Sequence, residues 1–502
     1  MKTYKHFIFL LLLVGTLTYC TDDFEELNTS PFEAANVPTA YLLTQAERAS
    51  VPRGDIDGTP IATTLMYTSN LYAQLMAETQ YTDVSRYDTE ELSFTGFYTG
   101  PLADLQTIIN LNTNEETANS PEVLGSGASA NQIAAARILK AYNFQIVTDT
   151  WGDVPYFNAL DFEEGFSPEY DEQAAIYADL VKELKEASAQ IDESAAGVEG
   201  DQIFQGDMSK WKKFANSLLL RVGIRMSEVD PAAAQDAITT AVANGVFESN
   251  DDSALYPYLS DAANANPIYY HFNVDNRTDY AISALLADYL SSIGDPRLSV
   301  YGEPTGNSME AEAPAIVGMP YGLSEAVSGS ITNASISFPG EYWKDNPATS
   351  GIIMAYSEVQ FILAEAAARG WIGGNPEEYY NEAITASMNY YGVEDQAAIN
   401  AYLNQPEVAY NPGNFKESIG TQKWIALYTV LNEPWSEWRR LGYPELQPAP
   451  AASFNRKIPL RRTYQQREFE LNDDNVSIAV ERQLGEAGDN VSIATPVWWD
   501  RQ

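Results

Sequence analysis

Cysteine and histidine are almost missing from this chain. Cys20 is the only cysteine in 502 residues, so no disulfide can form within the chain and a redox dithiol is excluded. Histidine occurs twice, at His6 and His271. A histidine-dependent triad, a Cys–His nucleophile and a multi-histidine zinc site therefore have almost nothing to be built from. The motifs GxSxG, HExxH, the Walker A loop and a GxGxxG after a strand are also lacking. Basic residues are scarce, with 29 Lys and Arg against 70 Asp and Glu, a formal charge of −41. Phosphate binding needs a basic footprint, so nucleic acid is excluded as a partner, and anionic headgroups would repel the chain. Acidity of this kind serves solubility. Long apolar runs are absent too. Phe7 to Val14 is unbroken but too short to span a bilayer.

That run has a different use. Lys2 and Lys5 precede it, and Gly15 to Cys20 (GTLTYC) follows. The arrangement is that of an export signal, and its end resembles the lipobox of bacterial lipoproteins. The resemblance implies cleavage before Cys20 and acylation of its sulfur, giving lipid attachment at Cys20. An ordinary secretory signal with an incidental cysteine is the alternative. Loss of residues 1–19 removes two lysines and no acid, leaving 27 basic and 70 acidic residues, a charge of −43. Residues 20–35 read as an acidic leash, and 36–502 as one body.

The body carries helical periodicity. Ile133, Ala136, Leu139, Tyr142 and Ile146 make one apolar face, and Trp211, Phe214, Leu218, Val222 and Met226 another. Asp207 or Ser209 can cap the second of these, and Ser357 a third helix that Gly370 ends. Asn375 and Pro376 open a fourth, closed by Gly392. The fold expected is mainly α, with tetratricopeptide-like helical pairs at about 38–80, 100–148, 171–228 and 356–392. Residues 249–350 are rich in Asn, Pro, Gly and aromatics and read as an irregular, ligand-facing region outside 282–293.

Candidate chemistry is of two kinds. A carboxylate pair suffices for glycoside hydrolysis, and Asp149, Asp153 and Glu433 beside Trp or Pro are its candidates, although caps and turns account for them as well. Aromatic surface is abundant, with 31 Tyr, 9 Trp and 19 Phe. Tyr and Trp pair a flat apolar face with a polar handle, which suits the C–H faces and hydroxyl rims of sugars. One cluster is Tyr67, Asn70, Tyr72, Gln74, Tyr81 and Tyr87. The other is Asn266, Tyr269, Tyr270, Phe272, Asn276 and Arg277, with Tyr342, Trp343 and Asn346 further on. No catalytic residue, metal ligand or cofactor site is expected. Asp55-Ile56-Asp57-Gly58 reads as a turn and not a calcium loop, while a structural calcium at an unassigned site stays compatible with so many carboxylates.

Several blocks together resemble the SusD/RagB family of SusD-like lipoproteins. They are LTYCTDDFEELNTSP at 17–31, AYNFQIVTDTWGDVPYFNAL at 141–160, WKKFANSLLLRVGIRM at 211–226 and DPRL at 295–298. SEVQFILAEAAARGW at 357–371, QKWIALY at 422–428, EPWSEWRRLGYPEL at 433–446 and VWWD at 497–500 continue the likeness to the C-terminus. It departs at Tyr464-Gln465, where a proline is usual. The resemblance implies an α-α superhelix of four helical pairs. It also implies a non-enzymatic, lipid-anchored protein on the outer face of the outer membrane, favoured there by Asp22, Asp23, Glu25 and Glu26. Such a protein binds oligosaccharide or polysaccharide and delivers it to a SusC-like TonB-dependent transporter. A binder of peptide or another nutrient, and a lipid-anchored glycoside hydrolase, remain the alternatives. Sugar-binding loops vary between relatives, so the resemblance assigns no ligand residue.

Overall fold

The computed structural model of the chain describes residues 37–54, 60–88, 92–160, 167–484 and 493–501. Cys20, the acidic leash and Asp55–Gly58 lie outside these. Helices dominate. In chain order the longer ones are α1 (Thr39–Ala49), α2 (Ile61–Tyr72), α3 (Ala103–Thr113), α4 (Ser129–Trp151), α5 (Gln173–Gln190), α6 (Met208–Arg225) and α7 (Pro231–Asn244). They continue with α8 (Ala284–Ser292), α9 (Tyr356–Ala368), α10 (Pro376–Tyr390), α11 (Gln396–Leu403), α12 (Phe415–Ala426), α13 (Glu433–Leu441) and α14 (Asp473–Leu484).

Successive helices stack on one another. The row α3–α4–α5–α6–α7 is continuous, and a second row runs α10–α9–α12–α13, joined to the first where α6 meets α9. Only the expected pair at 38–80 departs from this pattern: α1 packs on α3 and α2 packs on α13. Helix α4 also departs from its expected single face. With α3 on one side and α5 on the other, Ala134, Ala135 and Ile138 are buried as fully as Ala136 and Leu139, while Ile133 is half-buried.

Caps explain most helix ends. Asp207 accepts from the backbone N–H of Ser209 at 2.9 Å and opens α6, and Asn375 accepts from Glu377 N–H at 3.1 Å and opens α10 with Pro376 behind it. Helix α9 is different. It begins at Tyr356, one residue before the expected cap Ser357, and its first N–H is met by Ser253 Oγ at 3.0 Å.

Buried charge knits the two helical rows. Arg221 on α6 pairs with Glu358 on α9 at 2.7 Å, and Arg225 on α6 with Glu433 on α13 at 2.7 Å. Arg440 on α13 reaches Glu365 on α9 at 2.6 Å, and Lys423 on α12 reaches Glu437 at 2.9 Å. Each of these charges is almost wholly out of water, so removing one partner would strand the other.

Two short ladders organise the irregular region. Strand β1 (Met76–Glu78), directly after α2, pairs antiparallel with β3 (Tyr280–Ile282), in the register Met76–Ile282, Ala77–Ala281 and Glu78–Tyr280. Strands β2 (Ala254–Tyr256) and β4 (Gly351–Met354) form the other. The β1–β3 ladder matters most for the site, because it sets the end of α2 beside the 267–280 loop.

Candidate functional site

A cavity of about 330 Å³ opens where α2, the β1–β3 ladder and the 267–280 loop meet. Tyr67, on the second turn of α2, stacks on Tyr280 of β3 with ring centroids 4.0 Å apart and planes 12° apart. His271 lies 5.1 Å from the Tyr280 ring and caps the stack at a tilt. Tyr270 forms another wall and presses on Gly54 so closely that a Cβ there would lie 2.1 Å from its ring. Only glycine permits that approach.

Charge of both signs faces the same space: Arg53 and Arg277 against Asp275 and Asp279. Asp279 is buried and accepts from Arg277 Nε at 2.6 Å. Its backbone N–H points to His271 Nε2 at 3.4 Å, which leaves that nitrogen as an acceptor. Burial lowers the His271 pKa below its ordinary 6.5, against the opposing pull of Asp279, so the imidazole is neutral at neutral pH. Burial likewise drives the Tyr67 hydroxyl far above its ordinary range, and it stays a protonated phenol. That hydroxyl has no hydrogen-bond partner among the described residues.

At the rim stands Tyr81. Its ring is 60% exposed and lies 5.3 Å from the Arg277 guanidinium carbon. Its backbone is left-handed, with φ +55°, rare for an aromatic residue. The Glu325 carboxylate holds it there, accepting from the N–H groups of Tyr81 at 3.0 Å and Thr82 at 2.9 Å.

Of the residues singled out by sequence, the structure thus gathers Tyr67, Tyr270 and Arg277 around the cavity, with Tyr81 beside Arg277. The rest are elsewhere. Asn70 is fully buried, bonding Val430 O and Thr429 N. Tyr72 is buried against Trp435 with its hydroxyl on Arg462, and Gln74 and Tyr87 tie down the 447–449 loop. Asn266 caps its own loop helix and bonds Thr349 O. Phe272 packs on Phe338, and Trp343 is buried among Tyr342, Tyr391 and Tyr428. Tyr269 is half-buried on the loop helix, while Asn276 and Asn346 are exposed and engaged only in local turn bonds. Tyr280, Asp279 and Arg53 were not singled out. Tyr280 sits in the stretch read as irregular, and only the ladder register puts it on Tyr67.

The carboxylates raised as a hydrolytic pair are structural. Asp149 and Glu433 share Arg225 inside the helical core, and Asp153 accepts from Gln173 N–H at 2.9 Å and Arg482 Nε at 2.7 Å. Burial pushes the Glu433 carboxyl up, but Arg225 and Arg221 outweigh it and hold it below the usual value. Among the described residues no three His, Cys, Asp or Glu side chains are grouped to hold a metal ion, and no helix is long and apolar enough to cross a membrane.

A family model described as starch-binding and associating with the outer membrane, SusD-like, matches residues 31–465. The chain belongs to the SusD-like family. A chitin-binding protein of known structure is 33% identical with TM-score 0.77, over 92% of this chain and 100% of that one. A SusD homologue from Bacteroides fragilis is 25% identical with TM-score 0.76, over 93% and 99%. Among curated protein sequences none matches. The SusD-like assignment agrees with a mainly helical body, with the glycan-binding and outer-membrane character of the family, and with the expectation drawn from the sequence blocks.

Proposed function

We propose that this protein is a glycan-binding, non-enzymatic nutrient-capture protein of the outer membrane, held there by lipid on Cys20, that passes its ligand to a SusC-like TonB-dependent transporter. The observation that carries the binding role is the exposed Tyr81 ring, backed by Arg277 at the mouth of the Tyr67–Tyr280 cavity. A flat ring open on one side takes the apolar face of a sugar, while Arg53, Arg277 and Asp275 offer donors and acceptors to its hydroxyls. The non-enzymatic reading is supported by family membership, and two of the candidate carboxylates, Asp149 and Glu433, are tied into buried ion pairs with Arg225. Delivery to a transporter follows from family membership alone.

The likeness to a chitin-binding protein and the starch-binding description of the family choose the first probes. Purified protein lacking residues 1–19 is titrated with chito- and malto-oligosaccharides, with reducing-sugar release followed alongside. Binding of one series without release is expected, weakened about tenfold or more by Tyr81→Ala, since losing one stacked ring at a ligand contact amounts to roughly 1.4 kcal/mol. Sugar release by the protein, or binding indifferent to Tyr81→Ala, would defeat the reading. Binding of peptides in place of any glycan would favour another nutrient.

A further inference from the structure

Phe454 repeats the construction of Tyr81. Its ring is 82% exposed, more than any other large apolar side chain among the described residues. Its backbone is also left-handed, with φ +55°, and Asn455 beside it has the same φ. The Arg456 guanidinium carbon lies 4.9 Å from the ring centroid, on one side, and leaves the other side to solvent. A lone exposed phenylalanine is ordinary. One held in a rare backbone conformation by several loops, with a cation behind it, is not explained by packing.

The bracing leads back to the Tyr81 segment. Ser453 N–H donates to Arg86 O at 2.8 Å, Arg456 Nη1 to Tyr87 O at 2.6 Å, and Ala449 N–H to the Tyr87 hydroxyl at 3.0 Å. Between Tyr81 and this junction lies a single helical turn, closed by Arg86 N–H on Thr82 O at 3.1 Å. Tyr81 and Phe454 are therefore joined by one turn, one hydrogen bond and one residue, a path of roughly 15 to 20 Å. The path sets the upper limit of their separation, which keeps both rings within reach of one chain of several sugar units.

We infer that Phe454 is a second stacking platform for the same glycan chain, so that Tyr81 and Phe454 grip a linear oligosaccharide at two points. The inference rests on the sugar-binding reading of the Tyr81 site. Two weak contacts on one rigid frame act as linked sites, so long chains bind more tightly than short ones. The occupant is a neutral glycan and not a charged polymer, because each ring offers an apolar face with its cation turned to the back.

The test is a length series of the oligosaccharide that binds: disaccharide, tetrasaccharide and octasaccharide, titrated against wild type, Phe454→Ala, Phe454→Tyr and Tyr81→Ala. Phe454→Ala should leave the disaccharide within about twofold of wild type and weaken the octasaccharide about fivefold or more. Phe454→Tyr should restore it, and Tyr81→Ala should weaken every length. Melting curves verify that each variant is folded. An octasaccharide affinity unchanged in Phe454→Ala overturns the second platform and leaves the Tyr81 site standing. Binding of every length that is indifferent to Tyr81 as well sinks the sugar reading and this inference with it.

Discussion

Glu78 shows how one residue of the site region answers to its surroundings. It is 5% exposed, directly opposite Tyr280 in the β1–β3 ladder, and accepts from Ser85 N–H at 2.8 Å and Ser85 Oγ at 2.6 Å. Burial outweighs those bonds and raises its pKa from 4.5 to about 7. The folded protein therefore keeps a proton that the unfolded chain has released between those two values. Its contribution to stability is full below about pH 4.5 and is lost as pH rises through about 7. The difference is on the order of 3 kcal/mol. Chemical denaturation between pH 5 and 8 should show wild type losing stability with rising pH, and Glu78→Gln should flatten that slope. An equal slope in both would show that Glu78 is not the group responsible. Tyr81 and Phe454 teach a different lesson at this scale. Their residue types were visible in the chain, and Tyr81 was chosen from it. Their exposure and left-handed backbone were not, because loop contacts from residues far along the chain impose them.

Among the elements, helices were the more legible. Periodicity located α4, α6, α9 and α10, and the caps Asp207 and Asn375 act as their neighbours suggest. Helix α9 is the instructive exception. Ser357 looked like its cap, yet Ser253, at the start of β2, takes that role across 103 residues. Ser253→Ala should cost about 1 kcal/mol, the usual price of a lost cap, and Ser357→Ala less, since the Ser357 side chain caps no N–H of α9. Thermal unfolding monitored by circular dichroism would separate them. A larger loss at Ser357 would return the cap to the local residue. The two strands nearest the site, three residues each, carried too short a pattern to be read as strands. Their pairing joins residues about two hundred positions apart, which no local rule anticipates.

At the scale of the molecule, the body is mainly helical and the chain strongly acidic. The lipid tether is the proposal with the most consequence here, because a charge of −41 gives the chain no electrostatic attraction to anionic headgroups. Cys20→Ser should move the protein from the membrane fraction to the soluble one in a cell that processes lipoproteins. Retention in the membrane fraction would remove the anchor from the account. Inside the body, Arg221, Arg225 and Arg440 bridge α6, α9 and α13 through buried carboxylates. That network absorbs Glu433 and, with Asp149, the acids that alone in a sequence resemble catalytic groups. An acid's neighbours decide whether it is a reagent or a strut, and those neighbours come from other helices.

The sequence by itself determined the family, the mainly helical class, the exclusion of disulfides and multi-histidine sites, and the acidic charge. Each depends on composition or on contacts within a turn or two of the chain, where spacing and side-chain type suffice. Only the tertiary structure decided which aromatics are open. Asn70, Tyr72 and Trp343 went to the core, while Tyr67, Tyr270 and Arg277 met around one cavity and Tyr81 stayed exposed against Arg277. Burial is a property of what packs over a residue, and here it was set by the β1–β3 register, the Gly54–Tyr270 approach and the clasp of Glu325.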